Sequence, residues 1–127
     1  SYCNSLKMAD DEDPAAFVAR LLDAIETEVV PLTRAAVARG NKAFGACVLD
    51  SATLSLVAAA ANAEVDWPLL HGEIACLRCV NDLKERPAPA ACIFVGTHQS
   101  CPMCVSAITW SGYRRWYYLF SHAEIAA

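Results

Sequence analysis

No stretch of this 127-residue sequence stays apolar for the roughly 18–20 residues that a bilayer-spanning helix requires. The longest apolar stretch, residues 54–61, is interrupted by Ser55 and reads as a buried strand. The opening residues, SYCNSLKMADDEDP, are mixed and then acidic, and carry no secretory pattern. Positive charge is also scarce: 10 Lys and Arg stand against 14 Asp and Glu, a formal net charge of −4. Nucleic-acid binding draws much of its affinity from neutralising phosphates, so this balance argues against a large nucleic-acid footprint. Repeats and low-complexity tracts are absent. With 56% hydrophobic and 19% charged residues, the chain is globular and long enough for one real core. The expected division is a flexible segment over 1–13 and a single domain over 14–127.

A disulfide framework is missing too. The seven cysteines, at 3, 47, 76, 79, 92, 101 and 104, are odd in number and follow no leader. Reduced thiols and metal ligation fit better, which predicts a cytoplasmic setting.

Element signals are clear along most of the chain. Asp13-Pro14 opens a helix carrying Phe17, Leu21, Leu22, Ile25 and Val29 at helical spacing. Pro31 is expected to kink or divide it, and Gly40-Asn41 to stop it. Strands are expected over 44–49 and 53–61, joined as a hairpin at Asp50-Ser51. A loop over 62–70 leads to a helix over 71–83, with Ile74, Leu77, Val80 and Leu83 at steps of three. A buried strand over 91–95, a helix over 101–110 and a strand over 116–120 complete an α-β-β-α-β-α-β order. Strands alternating with helices in the second half predict an α/β layered domain with parallel pairing there.

Two short motifs carry chemistry. His71-Gly72-Glu73 opens the helix after the Trp67-Pro68 loop, and Cys101-Pro102-Met103-Cys104 opens the next one. At helix N-termini the macrodipole favours thiolates and lowers their pKa. One imidazole and two thiolates give three ligands (His71, Cys101 and Cys104) and leave the fourth position of a tetrahedral Zn²⁺ open, the catalytic pattern. Glu73, two residues from His71, is placed as general base and then general acid.

The pairing of H-x-E with C-x-x-C, here HGE and SCPMC, resembles the cytidine deaminase-like superfamily of zinc deaminases. The run from Cys101 to Trp110, CPMCVSAITW, is similar to the guanine deaminase and tRNA adenosine deaminase branch, as is Phe44-Gly45-Ala46. The resemblance covers residues 14–122. It implies a three-layer α/β/α sandwich around a mixed sheet of about five strands, a homodimer, and a small aminated heterocycle as substrate. It also implies a base-contacting role for Asn62, with Phe44, Gly72, Ser100 and Trp67 completing the expected substrate-binding set. Guanine is the first substrate expected, cytosine or cytidine the next, and tRNA adenosine third. An inactive deaminase-fold subunit serving a partner is the alternative of a different class. Ser100 stands where the pattern has proline, and Gly72 where it has alanine or valine. The pattern also adds a further strand and helix, so His122 and Glu124 are expected in a shortened segment.

Blander readings compete at each position. Cys76 and Cys79 form a second C-x-x-C, separated from the other pair by 21 intervening residues, close to a four-cysteine structural zinc site. Their helical setting favours packing as small hydrophobes instead. Asn62 alone could bond its own loop. Trp110 reads as core. His98 reads equally as a substrate contact or a surface residue, and Arg114-Arg115 as solvated charge.

Overall fold

The computed structural model describes residues 13–126. Residues 1–12, most of the expected flexible lead, and Ala127 lie outside the described residues. Asp13 caps helix α1 (Pro14–Ala24), its Oδ1 accepting the Ala15 N–H at 3.1 Å. A wide π-helical turn, Ile25–Val29, joins it to α2 (Val30–Ala38). Pro31 has no N–H for the carbonyl four residues back, so the break expected at the proline is taken up in the turn just before it. Gly40, at φ +92°, ends α2: its N–H bonds the Val37 carbonyl and the Asn41 N–H reaches back to Ala36. Phe17, Leu21, Ile25 and Val29 are buried as the spacing requires. Leu22 is 45% exposed, because it falls one residue off that stripe.

The sheet has the order β2-β1-β3-β4. Strand β1 (Gly45–Asp50) pairs antiparallel with β2 (Leu56–Ala61) and with β3 (Cys92–His98). Strand β4 (Arg115–Phe120) runs parallel to β3, as the alternation of strand and helix predicts. The hairpin's second strand begins later than Thr53. Asp50 Oδ1 accepts the N–H groups of Ala52 and Thr53 at 2.9 Å, and Leu54 takes φ +57°, so these residues form the turn. Strand β3 runs three residues beyond the expected end.

Four strands are present among the described residues, not about five. After Phe120 the chain turns at once into a short helix, α5 (His122–Ala126). Ser121 and Glu124 form a reciprocal capping box: Glu124 Oε2 accepts the Ser121 N–H at 2.7 Å, and Ser121 Oγ accepts the Glu124 N–H at 3.3 Å.

Strands β1 and β3 are buried on both faces, which explains why they read as continuous apolar runs. Cys47, Leu49, Ile93 and Val95 point to α1 and the π turn. Ala46, Val48, Cys92 and Phe94 point to helices α3 (Gly72–Asn81) and α4 (Pro102–Trp110). This is the expected three-layer α/β/α arrangement. Each fully buried aliphatic or aromatic side chain contributes about 1.5–3 kcal/mol. No helix among the described residues is long and apolar enough to cross a membrane.

Candidate metal centre

Helices α3 and α4 bring their N-termini together. His71 stands at the N-cap of α3 and Cys101 at the N-cap of α4, with Cys104 one turn on. His71 Nδ1 lies 3.5 Å from Cys101 Sγ and 3.6 Å from Cys104 Sγ. The three ligand atoms lie within 4.8 Å of one another, and no other such group occurs among the described residues. A tetrahedral zinc, with bonds of about 2.05 Å to nitrogen and 2.3 Å to sulfur, separates such atoms by about 3.5 Å. Donor chemistry and spacing therefore fit zinc with a fourth position open. The rival pair does not converge: Cys76 is buried against β2, its Sγ 3.9 Å from the Ala58 carbonyl, and Cys79 is exposed.

Burial and the dipole act oppositely on the Cys104 thiol of the metal-free site. The helix N-terminus was expected to lower both. For Cys104 burial prevails and pushes the thiol well up, with the charges of Glu73 and Cys101 adding to it. Binding of a metal must therefore displace a proton there.

Glu64, on the loop before His71, is a residue that motif reading does not find. Its Oε1 lies 3.2 Å from His71 Nε2, its Oε2 accepts the Asn62 Nδ2–H at 2.9 Å, and Lys42 Nζ stands 3.1 Å away. Burial raises the Glu64 carboxyl, but Asn62, Lys42 and His71 together bring it net below its ordinary range. A carboxylate on the second nitrogen of a ligating histidine fixes its tautomer and orientation. Only the pairing of a loop acid with a downstream histidine could have signalled this, and such pairs carry no period.

A cavity of about 240 Å³ opens over this centre, lined among others by Phe44, Asn62, Glu73, His98, Cys101 and His122. Glu73 is 8% exposed. Asn62 lines the cavity while holding its own loop. Its Oδ1 accepts the N–H groups of Lys42 and Glu64, and one Nδ2–H goes to Glu64, so one Nδ2–H remains. Gly72, Ser100 and Trp67 do not line the cavity. Gly72 is buried against β1, where an added Cβ would stand 2.9 Å from Gly45 Cα and 3.0 Å from the Phe44 carbonyl oxygen. The backbones touch, which explains glycine between the histidine and the acid. Ser100 is buried with an unpartnered hydroxyl. Trp67 is 49% exposed on the loop, and Trp110, expected in the core, is almost wholly exposed on α4.

Residues 23–120 match the family described as the cytidine and deoxycytidylate deaminase zinc-binding region. No curated protein matches the chain by sequence. Among solved structures, the guanine deaminase from Bacillus subtilis is 23% identical with a TM-score of 0.67, over 91% of this chain and 69% of that one. The guanine deaminase from Nitrosomonas europaea is 25% identical with a TM-score of 0.64, over 85% of this chain and 60% of that one. The dCMP deaminase from the cyanophage S-TIM5 is 19% identical with a TM-score of 0.61, over 91% and 90%. The chain thus spans about three fifths of the length of the Nitrosomonas enzyme.

Proposed function

From the premise that this chain belongs to the cytidine and deoxycytidylate deaminase zinc-binding family, we propose that it hydrolytically deaminates a free nucleobase or a related aminated heterocycle, with guanine first. The observation that carries this is one cavity lined by the buried carboxyl of Glu73 and by His71 and Cys101, two members of the His71, Cys101 and Cys104 group spaced for zinc. Drug-sized ligands occupy clefts of roughly 300–1,000 Å³. A cavity of about 240 Å³ suits a single heterocycle better than a nucleotide. The net charge of −4 points the same way, against a tRNA substrate.

In this reading His71, Cys101 and Cys104 hold the metal. Zinc, when bound, supplies the Lewis acidity that brings the pKa of water to roughly 7. Glu73 moves the protons. It takes one from the attacking water and gives it to the ring nitrogen beside the amino-bearing carbon. It then carries the next proton to the departing amine. Water is consumed, the C–N bond breaks, ammonia leaves and a carbonyl remains on the ring. Phe44 packs beside the ring, and the spare Nδ2–H of Asn62 donates to an acceptor on it.

The test is ammonia release by the zinc-loaded protein from guanine, cytosine, adenine and their nucleosides. Release from guanine, or failing that from another free base, is the expected result. Silence across the panel would favour the alternative of an inactive subunit that serves a partner.

A further inference from the structure

His98 ends β3 at the rim of the cavity, between two aromatic rings and with a hydroxyl at its Nδ1. Phe44 meets it edge to face with centroids 4.5 Å apart, and the Phe120 ring lies 5.3 Å away at 39°. On its Nδ1 side, Thr97 Oγ1 stands at 2.7 Å. The same Oγ1 accepts the Gly45 N–H at 3.1 Å. Thr97 is buried, and its hydroxyl has one proton and no other acceptor among the described residues. Were Nδ1 to carry a proton as well, the threonine proton would be buried without a partner, which costs more than the bond returns. The satisfied arrangement has Thr97 donating to Nδ1, which leaves the ring proton on Nε2. Burial also lowers the His98 pKa, with the Glu73 charge opposing, so the ring favours its neutral form.

We propose that His98, locked by Thr97 as the Nε2–H tautomer, reads the substrate by donating a hydrogen bond to a ring nitrogen or carbonyl oxygen away from the reacting amine. This rests on the deaminase reading above and sharpens it. Asn62 has one N–H to spare and His98 another, and both residues line the cavity beside the metal centre. The substrate class they select is a heterocycle with at least two acceptors besides the reacting amidine, as guanine has. An amino group turned toward His98 would set donor against donor and be rejected.

Two measurements test this. The first is long-range ¹H–¹⁵N correlation of the histidine rings in the zinc-loaded protein. The Nε2–H pattern is expected for His98, lost or mixed in Thr97→Val and restored in Thr97→Ser. An Nδ1–H pattern in the wild type overturns the proposal. The second is calorimetric binding of guanine, 3-deazaguanine, 7-deazaguanine and 2-aminopurine to wild type and to His98→Phe, with zinc content confirming an intact site. His98→Phe keeps an aromatic ring between Phe44 and Phe120. It should weaken guanine about tenfold, the value of one hydrogen bond in a desolvated site, and leave unchanged the one analogue that lacks the acceptor His98 reads. Binding by the wild type that His98→Phe does not alter overturns the role of His98 alone. No binding of any of the four by the wild type overturns the base-deaminase reading, and the role of His98 with it.

Discussion

Glu64 Oε1 lies 3.2 Å from His71 Nε2, on the nitrogen that does not face the thiols. The ring is therefore held from both sides, by sulfur at Nδ1 and by carboxylate at Nε2. Replacing Glu64 by Gln or Ala should weaken zinc binding about 10–100-fold, the usual effect of losing such a carboxylate. Chelator competition measures it. Lys42, more than half exposed, should matter far less, since exposed ion pairs contribute little. Equal zinc affinity in Glu64→Ala and wild type would remove Glu64 from the site.

Glu73→Gln separates chemistry from metal binding. Ammonia release should fall at least about 100-fold, while zinc stays at one equivalent, because the carboxyl moves protons and does not ligate. A variant that keeps its rate shows that another group carries the proton.

Thiol labelling distinguishes the two possible zinc sites. Burial pushes Cys47 up to about 12 and Cys76 well up, so both should resist alkylation at neutral pH until the protein unfolds. Cys79 is exposed and should react with or without metal. Cys101, half-buried at the mouth of the cavity, should react in the metal-free protein and be protected by zinc. Protection of Cys79 by zinc would instead indicate a four-cysteine centre.

Gly72→Ala places a Cβ 2.9 Å from backbone in β1, where nothing flexible can yield. The expected cost is about 1–3 kcal/mol, seen as a lower Tm by several degrees in thermal unfolding. An unchanged Tm would mean that α3 can move away from the sheet.

Asp50 sets a pH dependence. Its carboxyl is held below its ordinary value, chiefly by the Thr53 N–H and then by that of Ala52. A pKa lower in the folded than in the unfolded state stabilises the fold above the ordinary carboxylate range, and the effect is lost as pH falls through the folded value. The Tm gap between wild type and Asp50→Ala should therefore be open at pH 7 and close progressively below about pH 4.

Much of this molecule was legible in its sequence because its signals are short-range. The HGE and CPMC spacings place ligands at helix N-termini, and the buried strands read over 44–49 and 91–95 from their apolar runs fall within one to three residues of the observed ends. What was not legible depends on contacts across the chain. Glu64 meets His71 only because the intervening loop folds back, with the Ala63 N–H bonded to the Leu70 carbonyl. Gly72 looked like a pocket residue, and only the approach of β1 shows it to be a packing requirement. Trp110 is apolar at a helical position, yet no element among the described residues covers it on α4. The count of about five strands came from resemblance; among the described residues β4 is followed by a helix that the capping box at Ser121 and Glu124 starts.

The wide turn at Ile25–Val29 gives the chain one residue of slack at that point. Each helical residue advances the phase by about 100°. A π turn absorbs one residue more than an α turn would. Val29 and Thr33 fill the space beside Gly45 where a Cβ would stand, so the phase of α2 shapes the wall at the start of β1. A single-codon deletion within residues 25–29 can be taken up by closing the π turn to an α turn, keeping Thr33 and Ala36 toward the sheet, whereas a deletion in the regular turns of α1 would rotate them by about 100°. Loss of one residue is therefore tolerated in this turn, and gain or loss of one is not in the regular turns on either side of it.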